Sequence, residues 1–230
     1  MSNDTSDDKV ALAKAELERA SREVDPQEWA RLQVSLGDAL LKSSQGYLEW
    51  KLLQPRVGNP YFKLQQGGLG DIAHEAWQAY WAALEECAPD KDLDLWARAC
   101  AGLGDAWVRV GLAPYGTDNA LWKASVVLQN LLSQFPCARD PLLWATSQHR
   151  LACTRFARAI RSYDPENPGP GLKLAREAVD ALGAAAEAFL KHGFAQHHRQ
   201  MLEQIEAMQA RIARAEKKIR QQSSGGPASS

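Results

Sequence analysis

Three segments of this chain open in the same way. Trp29-Ala30 leads to Leu36, Trp96-Ala97 to Leu103 and Trp144-Ala145 to Leu151, so each Leu stands seven residues after its Trp. A small residue follows each Leu: Gly37, Gly104 and Ala152. Seven residues are two turns of an α-helix, which puts Trp and Leu on one face, and the small residue beside the Leu lets another helix approach. Two copies share the longer string Leu-Gly-Asp-Ala, at Leu36–Ala39 and Leu103–Ala106. A second apolar stripe follows each copy: Ala76, Tyr80, Ala83 and Leu84; Ala124, Val127, Leu128 and Leu131; Ala175, Ala178, Leu182 and Ala185. Each pair makes a helical hairpin with too little core to stand alone, so the hairpins must stack.

Runs of good helix formers with helical period occur almost throughout, and no strand-like alternation persists. Asp25-Pro26-Gln27-Glu28 reads as a helix start, with Asp25 as N-cap and Pro26 in the first turn. Helices are expected over about 7–24, 25–43, 71–88, 93–110, 119–134, 141–163, 171–192 and 195–222, with Asp71 capping the third. The fold class is all-α: antiparallel hairpins stacked side by side. An acidic helix occupies residues 1–24, the repeat region 25–192, a basic capping helix 193–222 and a disordered Gly/Ser/Pro/Ala tail 223–230. Residues 43–70, broken by glycines and prolines, form a long insertion within the first hairpin, a kind of connection often functional or mobile.

The arrangement resembles the tetratricopeptide repeat (TPR), in the divergent bacterial form whose first helices read Trp-Ala-x-x-Gln-x-x-Leu-Gly-x-Ala-Leu. Gln33 and Gln148 stand at the Gln position, whereas Ala99-Cys100 departs from the pattern. Copy spacings of 67 (96−29) and 48 (144−96) exceed the roughly 34 residues of a regular repeat, the excess falling between the two helices of each hairpin. The resemblance implies a right-handed solenoid whose concave face, lined by the first helices, binds a peptide or helix of another protein. Positions two, five and nine after each Trp are then expected to point outward: Arg31, Val34 and Asp38; Arg98, Ala101 and Asp105, with Arg109 four further on; Thr146, His149 and Cys153. The arginines suit partner carboxylates. Trp50 and Trp122, in or near the insertions, are either partner anchors or aromatics buried by the folded-back loops.

Motifs for chemistry are few. His74-Glu75 begins a zinc-protease helix but Gln78 occupies the second His position, which leaves a surface His. His149 and Cys153 lie four apart with no further ligand nearby in sequence, and His192, His197 and His198 are not spaced as helix ligands. Gly68-Leu69-Gly70-Asp71-Ile72-Ala73 fits a nucleotide fingerprint only formally, since no βαβ unit surrounds it. No catalytic constellation, cofactor site or metal site is expected. Hydrophobic residues at 45% and charged residues at 24% suit a soluble globular chain. No apolar run approaches the roughly 20 residues that cross a bilayer. The polar opening Met1–Asp8 argues against a targeting peptide, and four scattered cysteines read as thiols of a reducing cytoplasm.

Net charge is −1, so no global field favours nucleic acid or membrane. Charge is nevertheless dipolar: residues 1–28 carry four bases and eight acids (−4), residues 191–222 seven bases and three acids (+4). The reading is a non-enzymatic protein-binding adaptor. The alternatives are a nucleic-acid-associated module using the basic C-terminal helix, and a helical enzyme with a cleft near residues 43–70.

Overall fold

The computed structural model describes residues 6–43, 69–113, 116–164 and 166–224, and every secondary-structure element among them is helical. In chain order these are α1 (Ser6–Arg19), α2 (Pro26–Ser43), α3 (Leu69–Glu86), α4 (Leu93–Leu112), α5 (Asp118–Gln134), α6 (Pro141–Arg161), α7 (Gly169–Lys191) and α8 (Ala195–Ser224). Most boundaries fall within two residues of the sequence expectation. One cap is corrected: α3 already begins at Leu69, so Asp71 lies in its first turn, where a carboxylate favours the positive end of the helix dipole. Trp50 and most of the 43–70 insertion lie outside the described residues, as do residues 225–230 of the expected tail, whereas Ser223 and Ser224 end α8.

The Trp-led helices α2, α4 and α6 start identically. Asp25, Asp92 and Asp140, each four residues before its Trp, accept a hydrogen bond at Oδ1 from the amide of Glu28, Leu95 and Leu143 at 2.9, 3.0 and 2.9 Å. That satisfies one of the otherwise orphaned first-turn donors.

Each helix packs on the next, and α4 additionally touches both α2 and α6. Residue pairs give the directions. Gly104 faces Leu128 and Gly111 faces Leu121, so α4 and α5 are antiparallel; Gly171 abuts Ala159 and Tyr163, so α7 returns along α6. By contrast α4 bonds α6 through Asp105–Arg150 and Arg161–Gly111, in parallel. Arg211 over Phe156 and His149 beside Gln204 place α8 parallel to α6 as well.

The small residues after the repeated Leu act as expected. A Cβ on Gly37 would stand 2.6 Å from the Tyr80 ring, and one on Gly104 2.6 Å from Leu128. Tyr80 is wholly buried and is wedged between Gly37 of α2 and Gly102 of α4, where an added Cβ would come within 2.2 Å. The expected second-helix stripes are buried apart from half-buried Leu84 and Val127. Trp77 stacks on Trp107 at 4.9 Å between centroids, whereas Trp81 is 54% exposed. One core spans α1 to α5 and another α6 to α8, with a smaller cluster of Val108, Leu112, Leu121, Ala124 and Ala157 between them.

Candidate functional site: the polar seam across α2, α4 and α6

A seam of charged side chains crosses the Trp-led helices. On α2, Asp38 accepts the Tyr80 hydroxyl at Oδ1 (2.7 Å) and Arg98 Nη2 from α4 at Oδ2 (3.1 Å). One rung on, Asp105 of α4 accepts Arg109 Nη2 at 3.1 Å, while Arg150 of α6 approaches Asp105 Oδ1 through Nε at 3.3 Å. Arg109 also donates from Nη1 to the Leu41 carbonyl of α2 at 3.1 Å. Asp38 and Asp105 both stand nine residues after their Trp and perform the same task, receiving an arginine from the next Trp-led helix.

The electrostatics follow from burial. Burial by itself raises the pKa of the Asp105 carboxyl, yet Arg150 and Arg109 outweigh it and hold that pKa below the ordinary carboxylate range. Burial raises the Tyr80 hydroxyl well above its usual value, and Asp38 adds to the shift, so the phenol stays a donor. The expectation that Asp105 and Arg109 present themselves to a partner is therefore corrected: they are only 9% and 6% exposed and bond within the chain. A carboxylate and a guanidinium taken out of water need each other. Position five after the Trp also points inward, since Val34 and Ala101 are buried.

The third copy differs. Its ninth position is Cys153, and the polar groups there are His149 of α6 and Gln204 of α8, which lie beside each other. Burial, then the neighbouring Arg150 cation, pushes His149 down to about 4, and burial pushes Cys153 up to about 12. A raised thiol beside a lowered imidazole disfavours transfer of the thiol proton to that ring, and with it a thiolate–imidazolium pair. Burial likewise raises Cys87 to about 11 and Cys100 to about 12. No group of three or more His, Cys, Asp or Glu among the described residues is arranged to hold a metal. His74 is exposed and accepts Trp77 Nε1 at 2.9 Å.

Of the expected partner-binding residues, Arg31, Arg98 and Trp122 are exposed, and Asp38 is half-buried. Arg31 pairs with Glu28 and Asp92 at 3.4 and 3.6 Å, and Arg98 with Asp38, yet their side chains remain 52% and 57% exposed. Trp122 on α5 is 50% exposed. Sequence reasoning missed Arg150, whose position six after Trp144 has no charged counterpart in the other copies, and Tyr80, read only as core.

Comparison with protein-family models, with curated protein sequences and with solved structures gives no match to this chain.

Proposed function

We propose that this chain is a helical-repeat scaffold of TPR-like, right-handed solenoid type, without catalytic activity, that binds a peptide or helix of another protein on the face of α2, α4 and α6. The observation that carries this reading is the repeated rung, Asp38–Arg98 then Asp105–Arg150, which ties successive Trp-led helices side by side. The two carboxylates stand at the same position of their copies and each bridges to the next Trp-led helix, as repeats that contact only their neighbours require. Arg31 and Arg98, exposed on this face, are the anchors offered to partner carboxylates. Burial raises the thiols of Cys87, Cys100 and Cys153, which favours a scaffold over an enzyme that uses one of these three as nucleophile. Four free cysteines suit a reducing cytoplasm. No helix among the described residues is long and apolar enough to cross a membrane.

Affinity purification of the tagged full chain from its native cell, repeated with R31E/R98E, tests the reading. A polypeptide partner retained by the parent and lost by the folded double variant is expected. Recovery of no polypeptide partner overturns the scaffold, and full retention by the double variant overturns the face.

A further inference from the structure

A groove of about 370 Å³ opens between the C-terminal half of α6, the start of α7 and the C-terminal half of α8. Its base is closely packed, because an added Cβ on Gly171 would lie 3.2 Å from the Ala159 carbonyl oxygen. Phe156, Ala159 and Ala175 are buried in it, while Ile160 and Tyr163 on the α6 side are 37% and 36% exposed. The opposite wall is α8, which presents Arg211, Arg214 and Lys218 above Ile212 and Ala215. These three cations follow each other at one helical turn, about 10 Å from first to last. None of them forms an ion pair among the described residues: Arg211 lies over the Phe156 ring at 5.9 Å, Arg214 bonds the Ala210 carbonyl of its own turn, and Glu216 is taken by Arg176.

We propose that this groove docks an acidic amphipathic helix of a partner protein, its apolar stripe on Ile160, Tyr163 and Ile212 and its carboxylates along Arg211, Arg214 and Lys218. The inference rests on the scaffold reading for the class of partner, but it places a second contact away from Arg31 and Arg98. Carboxylates at i, i+3 or i+4 and i+7 of a helix repeat at the spacing of the cation row. A fatty acid offers one charged head to three cations. Nucleic acid offers phosphates at the rim but no apolar face to cover Ile160 and Tyr163. A helix laid in a groove satisfies both walls together.

The test uses the full chain and a labelled peptide of roughly 15 residues, long enough to form an isolated helix, with leucines on one stripe and glutamates beside it. Fluorescence anisotropy should show saturable binding that weakens with salt. The apparent Kd should rise about tenfold or more in R211E/R214E/K218E, as three screened charge pairs imply. A Gln-for-Glu peptide should lose binding comparably, whereas R31E/R98E should bind as the parent does. Exposed Lys218 gives the milder K218E, read in the same way if the triple variant loses its helical circular dichroism. Absence of binding to the parent, equal binding by the charge-reversed forms, or stronger retention of duplex DNA or phosphatidylserine vesicles through the same cations overturns the proposal. If it fails while R31E/R98E still loses its native partner, the scaffold reading stands.

Discussion

The two halves of the molecule solve the same packing problem with different chemistry. From α2 to α6, neighbouring Trp-led helices are bridged by carboxylate–guanidinium pairs, with an aromatic ring pressed into glycines behind them. From α6 to α8 the carboxylate is replaced by Cys153, the contact is His149 beside Gln204, and the helices part into a groove. The α7 surface beneath is alanine-rich, with Ala175, Ala178, Ala181, Ala185 and Ala186 around Leu182 and Phe189. Position nine after the Trp thus holds a bridging carboxylate in the first two copies and a thiol in the third. Buried ion pairs add little net stability but penalise any arrangement that parts them, so they hold register where apolar contact alone permits sliding.

The contrast can be broken most directly at Asp105. Asp105→Ala removes the carboxylate that receives both Arg109 and Arg150 and should lower stability by about 1.5–3 kcal/mol in urea unfolding. A loss below about 1 kcal/mol would show that the first half does not depend on its seam.

His149 tests the other half through pH. Its folded pKa of about 4 lies below the ordinary value of 6.5, so the unfolded chain takes up a proton first as pH falls. Stability from this group is therefore present above pH 6.5, declines between pH 6.5 and 4, and levels off below. The loss across that window should be about 3 kcal/mol, and His149→Leu should remove it from the pH profile of thermal unfolding.

Two glycines sharpen the comparison with opposite signs. Gly102→Ala drives a methyl group into the Tyr80 ring and should cost about 1–3 kcal/mol by overpacking. Gly183→Ala on α7, where an added Cβ meets nothing within 4 Å, should raise stability by about 0.5–1 kcal/mol through helix propensity. Chemical denaturation of both variants checks the pair, and destabilisation by Gly183→Ala would mean that the second half is as tightly fitted as the first.

Much of the architecture was legible because it depends on short-range rules. Apolar period and punctuation located the helices, and the Leu-Gly string announced the close approaches that Tyr80 and Leu128 make. Asp25 was read as a cap, but the recurrence of that cap at Asp92 and Asp140, again four residues before the Trp, was available and unread. The site was less legible. Asp38 and Asp105 were singled out by repetition yet taken to face a partner, because the resemblance to the tetratricopeptide repeat implies that the ninth position after each Trp points outward. Their arginine partners stand two and six residues after their respective Trp residues, so no fixed spacing connects the two rungs.

Local chemistry written along the chain settled which stretches coil, where they begin and which stripe each hides, since propensity, capping and helical period act within a few residues. Burial and pairing of charges depend on how far one helix slides against another more than forty residues away. That sliding decided that Asp105 and Arg109 are interior groups, that His149 stays neutral, and that the cations of α8 overlook an apolar trough.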